Sequence, residues 1–186
     1  MQRKLLIILC LTGSVFISFG QKKKKNKSDA VATTNTDTAK IDYKALGSPM
    51  PDIRMMVSKG KTMGSEIITP GSLSKKKNVL VMMFNPTCGH CQDETILFKK
   101  HIDAFQQTEM LLIADTVMRE YMEFFENVTR ASEAPAIKVG LEQTGFINKA
   151  FIYKSLPQLN IYDRDRKLVK IFTGDVPIDS LKPYIQ

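Results

Sequence analysis

The sequence predicts an α/β fold of three layers: a central mixed β-sheet flanked by helices, with a β-hairpin added on its N-terminal side. Three observations carry this. Residues 78–84, NVLVMMF, are a continuous apolar run of strand length without alternation, the pattern of a strand covered on both faces. An amphipathic helical stripe follows directly, and a second apolar strand at 110–114 follows that. Near the C-terminus two strand-like runs flank a short polar turn, which closes the sheet with an antiparallel pair.

Each element follows from its own pattern. Order is expected from Gly47, with Pro49 and Pro51 holding an extended lead. Residues 53–57 and 63–68 are strands joined by a turn at 58–61 that contains Gly60, and Pro70-Gly71 breaks the chain after them. Beyond the 78–84 strand, Cys91, Thr95, Phe98, Ile102 and Phe105 recur at spacings of four and three, one face of a helix. After the 110–114 strand, Asp115 or Thr116 caps a helix whose inward stripe is Val117, Tyr121, Phe124 or Phe125, and Val128. Residues 136–141 form a short strand and 145–153 a short helix. After Pro157 come strands at 159–162 and 167–172, antiparallel because their turn is so short. Gly174 ends that hairpin, and Pro177 opens a last helix with Ile178, Leu181 and Ile185 on one face. There is no internal repeat.

The N-terminus is built differently. Arg3 and Lys4 precede an apolar stretch at 5–19, and Ser18-Phe19-Gly20 places small residues at the −3 and −1 positions of a cleavage site. This is the layout of a secretory signal peptide over 1–20. A retained signal anchor shares the layout, although the stretch is shorter than the roughly 20 residues of a membrane span. Cys10 follows Leu9, where a lipid-attachment site needs a small residue, and is not read as one. Residues 21–46 are basic and then rich in Ser and Thr, a disordered linker, and 47–186 form the folded domain.

The net charge of +8 belongs mostly to these extensions. Residues 1–20 hold two basic residues and no acid, and 21–46 hold seven Lys and three Asp. That leaves 18 basic and 16 acidic residues in 47–186. A nucleic-acid-binding domain carries its basic patch on the fold, so that class is set aside. Lys22, Lys23, Lys24, Lys25 and Lys27 make a solvated tail; near an anionic membrane each would add weak attraction of about 1 kcal/mol. No segment outside the domain resembles a dimer module, and a monomer is expected.

Beyond the signal the chain keeps only Cys88 and Cys91. Stray thiols are a liability in an oxidising compartment, so two cysteines three residues apart point to a redox pair. Cys88 falls where a buried strand ends and a helix begins. The unpaired N–H groups and the dipole of that first turn favour a thiolate there. Cys91 lies one turn further in, close enough to close a small disulfide. The spacing creates an attacking and a resolving thiol. His90 lies between them, where an imidazole favours the thiolate further and so makes the disulfide a better oxidant.

The strand, the motif FNPTCGHC and the following helix resemble the thioredoxin superfamily, and the CGHC centre is similar to that of protein disulfide isomerase. The frame around it resembles the exported TlpA/ResA-like branch and the related redoxins of bacterial envelopes. Gly47-Ser48-Pro49-Met50-Pro51-Asp52-Ile53 is similar to that branch's opening motif, as are Leu73 and the lysines 75–77 before the first long strand. Leu156-Pro157-Gln158 resembles the superfamily's cis-proline loop, which lies against the active site. The resemblance covers 47–186. It implies a thioredoxin-like thiol–disulfide oxidoreductase of a Gram-negative periplasm, soluble or membrane-anchored. Cys88, Cys91, His90 and Pro157 are then its site, and the Cys pair is its redox group, with no further cofactor. Its partners would be disulfide-containing or dithiol proteins of the envelope, and a periplasmic or membrane thiol reductant would regenerate it.

Three positions depart from the pattern. Thr87 stands where the family usually has Trp, Ile96 where a Pro often kinks the helix, and Met82 where thioredoxin has a buried Asp that helps deprotonate the second cysteine. In TlpA/ResA-like proteins an acid from the insertion can approach the cysteines; Glu142 and Glu133 are the candidates here, and both are equally readable as surface acids.

Other chemistries fit less well. Cys88, His90 and Cys91 offer two soft ligands and an imidazole, as a copper-delivery module would, but a closed zinc site needs four ligands. His101 lies ten residues along the same helix from Cys91, roughly 15 Å away. The Met residues are distributed as core filler. Gln92 stands where haem attachment needs His, and neither cysteine has the Thr three residues upstream that a peroxiredoxin requires. A purely structural disulfide over so small a loop would constrain the unfolded chain least. The direction of electron flow divides the signals: CGHC favours a disulfide donor or isomerase, and the larger frame favours a reductant. The frame rests on more of the chain, and a reductant is the expectation.

Overall fold

A computed structural model describes residues 41–186, apart from Phe146 and Ile152. The expected signal at 1–20 and most of the linker lie outside the described residues. Among these residues no helix is long and apolar enough to cross a membrane. The contacts of the domain begin at Asp42, whose carbonyl accepts from Ala45 N–H at 3.1 Å and Ser48 O–H at 2.6 Å, while Gly47 N–H donates to Leu168 at 2.7 Å.

In chain order the elements are β1 (Met55–Lys59), β2 (Thr62–Ile68), β3 (Asn78–Met83), α1 (Gly89–Lys100), β4 (Thr108–Asp115), α2 (Met122–Thr129), β5 (Ile137–Glu142), α3 (Ile147–Ala150), β6 (Gln158–Tyr162), β7 (Leu168–Thr173) and α4 (Ile178–Ile185). The strands form one mixed sheet in the order β2-β1-β5-β4-β3-β6-β7. β3, β4 and β5 run parallel, β1 joins β5 antiparallel, and β6 and β7 complete the other side antiparallel. The β1–β2 hairpin extends the sheet at one edge, as the sequence predicts.

The unbroken apolar run of β3 has its explanation in two cores. Leu80 and Met82 face one core with Cys91, Phe98, Met122, Phe125, Leu181 and Ile185, so α1, α2 and α4 all cover this side. Val79, Val81 and Met83 face the other. That second side is covered more thinly, by α3, the 3₁₀ turn Pro70–Ser72 with Leu73, and the lead around Met50 and Ile53.

The structure corrects three expectations. α1 stops at Lys100, and its stripe continues through a separate 3₁₀ turn, Ile102–Phe105, which brings Phe105 to 5.2 Å from the Phe98 ring. The helix expected over 145–153 contracts to Ile147–Ala150. The largest correction is at α2. Val117, Tyr121, Phe124 and Val128 are exposed, Val117 by 70% and Phe124 by 49%. Of the two phenylalanines expected at one position of the stripe, Phe125 is the buried one; Met122 and Thr129 are buried with it, and Met118 is half-buried on the 3₁₀ turn Thr116–Tyr121 that precedes the helix. Thr129 is admitted inside because its hydroxyl donates to the Phe125 carbonyl at 2.8 Å.

Candidate active site

The site grows from the end of β3. Phe84 prolongs the ladder by donating to Ile113 at 3.2 Å, and the chain then turns. The side-chain oxygen of Asn85 accepts from both the N–H and the O–H of Thr87 at 2.9 Å, and its carbonyl accepts from Cys88 N–H at 3.0 Å. Gln92 Nε2 closes the loop from the helix side by donating to the Pro86 carbonyl at 2.8 Å. Thr87 thus serves the turn, where a Trp would present a large surface. Cys88 is the N-cap residue of α1, with extended φ and ψ of −81° and 117°, and its carbonyl accepts the first helical bond from Gln92 N–H. Its side chain makes no capping hydrogen bond, and the residue is half-buried.

Cys91, one turn on, is fully buried in the core that contains Leu80, Met82, Phe84 and Phe98. The pair is present as the dithiol. Burial, more than any other cause, pushes the Cys91 thiol far above its ordinary range; its hydrogen bond to Cys88 and the negative charges of Cys88 and Asp175 act in the same direction. The two thiols are thus unlike: Cys88 is half-buried at the helix end and Cys91 is buried one turn on.

One acid inside the site escaped the sequence reading. Glu94 lies three residues beyond Cys91, on the same helical face, and is buried. Its Oε2 accepts from Val176 N–H at 3.2 Å, while Oε1 is buried with no hydrogen-bond partner among the described residues. Burial first, and then the charge of Asp175, push its carboxyl up to about 7. The available signal was a Glu placed between Cys91 and Thr95 on an otherwise inward stripe. The two acids proposed from the insertion are engaged elsewhere. Glu142 is buried and accepts from Thr144 N–H and O–H and from Arg54 N–H. Glu133 is exposed and receives Lys99 Nζ at 3.0 Å, near the far end of α1.

His90 and Pro157 meet through the segment that follows β7. The Leu156–Pro157 peptide is cis. The Pro157 carbonyl accepts from Gly174 N–H at 2.8 Å, and Gly174 has φ +75°, a conformation that favours glycine. The next residue, Asp175, places both carboxylate oxygens 3.0 Å from His90 Nδ1. The one after, Val176, binds Glu94. Cys88, Cys91, His90, Pro157 and Glu94 therefore share one end of the sheet. Among the described residues no group of three or more His, Cys, Asp and Glu is arranged to hold a metal ion.

No protein-family model matches the chain, and no curated protein matches it. Solved structures do resemble it. The thioredoxin domain of a thiol-disulfide oxidoreductase from Bacteroides vulgatus superposes with a TM-score of 0.58 at 19% identity, over 75% of this chain and 94% of that one. StoA from Bacillus subtilis gives 0.56 at 13% identity, over 74% and 100%. A secreted Mycobacterium tuberculosis disulfide oxidoreductase homologous to E. coli DsbE gives 0.53 at 14%, over 69% and 92%. The fold is that of a thioredoxin-like protein.

Proposed function

We propose that this chain is an exported thiol–disulfide oxidoreductase that reduces disulfides in partner proteins of the cell envelope. The observation that carries the reading is the asymmetric pair: half-buried Cys88 at the cap of α1 above buried Cys91, with a buried, raised carboxyl one turn below. The Cys88 thiolate attacks one sulfur of a partner disulfide. A mixed disulfide forms, and the partner's other sulfur leaves as a thiolate that takes up a proton. The partner chain lies against the loop at Pro157. Cys91 then passes its proton through a water to the buried Glu94 carboxylate one turn on and attacks the Cys88 sulfur, and the second partner sulfur leaves as a thiolate that takes up a proton. Two electrons pass to the partner, and the protein is left with a Cys88–Cys91 disulfide that a second dithiol protein must reduce. The signal layout at 1–20 supports export, and a secreted neighbour of the same fold is consistent with it.

The test is trapping. C91S should accumulate a mixed disulfide with oxidised glutathione or a model disulfide protein, seen by intact mass, and C88S should form none. E94Q should keep the trap-free mixed disulfide alive at least about tenfold longer than wild type. Turnover that survives C88S would rule out Cys88 as the attacker.

A further inference from the structure

Three consecutive residues after β7 each hold a different part of the redox centre. Gly174 binds the Pro157 loop, Asp175 binds the residue between the cysteines, and Val176 binds the buried acid below them. The backbone on both sides of Asp175 is thus fixed, and its carboxylate faces His90. We propose that Asp175 is a positioning residue that cancels the charge of His90 at the cysteine pair and thereby sets the pair on the reducing side. The inference rests on the oxidoreductase reading above.

The argument is one of charge counting. A carboxylate can only accept, so the His90 Nδ1 facing it carries a proton, and Nε2 is the nitrogen that gains or loses the second one. With the ring protonated, the His90–Asp175 pair has no net charge; with the ring neutral, it has one negative charge. Without Asp175 those values would be one positive and zero. In either state Asp175 removes one unit of positive charge from the residue that lies between the cysteines in the chain. Less positive charge means a less stabilised thiolate, a less stabilised dithiol form and a weaker oxidant. At both buried groups, where burial is the main cause, the charge of Asp175 adds a smaller push in the same direction, raising the Cys91 thiol and the Glu94 carboxyl. A CGHC centre inside a reductant's frame is then no contradiction: the histidine's influence is neutralised from the neighbouring loop. Both side chains are largely exposed, 69% and 64%, so the ring is what holds the carboxylate at the site.

The test compares thiol–disulfide equilibria with glutathione for wild type, D175N, D175E, H90A and H90A/D175N. Asn keeps an oxygen for Nδ1–H, and the main-chain bonds of Gly174 and Val176 are untouched. D175N should shift the equilibrium towards the dithiol three- to tenfold, about 15–30 mV more oxidising. D175E should return it to within twofold of wild type. In the H90A background the D175N step should shrink below twofold, because no ring is left to hold the exposed carboxylate towards the pair. A D175N shift below twofold, or an undiminished step in H90A, overturns the proposal. A wild-type equilibrium typical of an oxidant would overturn the reductant reading and with it the claim that Asp175 sets the pair on the reducing side, while a D175N shift that vanishes in H90A would still support the cancelling of His90's charge.

Discussion

Cys91 and Glu94 are buried within one helical turn, and burial favours the neutral form of each; near neutral pH only Glu94 thereby keeps a proton that the unfolded chain would release. For Glu94 the consequence for stability has a definite sign. Folding moves its carboxyl from an ordinary value of 4.5 up to about 7. Between those values the folded state binds more protons than the unfolded one, so stability falls as pH rises. The contribution is fully present below about 4.5 and lost through about 7. Its size is roughly 3 kcal/mol, taking about 1.4 kcal/mol per pKa unit. The urea midpoint of the dithiol protein should therefore drop between pH 5 and pH 8. E94Q should flatten that drop and be more stable than wild type at pH 8; an unchanged slope in E94Q would show that the carboxyl is ionised at no cost. Glu94 and Asp175 were differently hidden in the sequence. Glu94 sits at a periodic inward position and could have been found by asking which charged residue interrupts the stripe. Asp175 could not, because its partner is 85 residues away and only the return of β7 beside α1 joins them.

The elements were legible where a pattern had one solution. The β3 run, its cap at Cys88 and the β6–β7 hairpin were all readable, because a doubly covered strand admits little else. At α2 two stripes of equal spacing compete: 117, 121, 124 and 128, and 118, 122, 125 and 129. Periodicity cannot choose between them. The direction in which the chain leaves β4 does, and it turns the second stripe inward, Thr129 included. F125A should accordingly cost about 3–5 kcal/mol, since Phe125 is buried and stacked 4.5 Å from Phe84. F124A should cost less than about 1 kcal/mol in the same denaturation experiment. Comparable costs would mean that the first stripe faces the core after all. Gly140 in β5 is a second point that packing decides. A Cβ there would meet the Met56 carbonyl and the Met55 side chain, where β1 crosses closely. G140A should destabilise by about 1–3 kcal/mol, measured by thermal or urea unfolding, by forcing β1 away from β5.

At the scale of the whole molecule, the parallel strands β3 and β4 deliver their C-terminal ends to one rim, and the turn after β3, the loop before β6 and the segment after β7 build the site there. Sequence pattern reached this far because the CxxC lies in the turn after β3, where local rules act. It fell short for what closes over the pair, namely the loop at 174–176, which depends on the antiparallel return through β6 and β7. The basic tail lies apart from the domain in sequence, and the domain itself is close to neutral. On the proposed reading, its redox poise is set by the neighbours of the cysteines: burial of Cys91, the buried acid one turn on, and the carboxylate facing His90. The reduction potential of the Cys88–Cys91 pair in the purified protein, equilibrated against a glutathione or dithiothreitol ladder, reads that poise directly. A reductant should give a value near or below that of thioredoxin, about −270 mV. A value between roughly −120 and −180 mV would contradict that direction and make the protein a disulfide donor or isomerase.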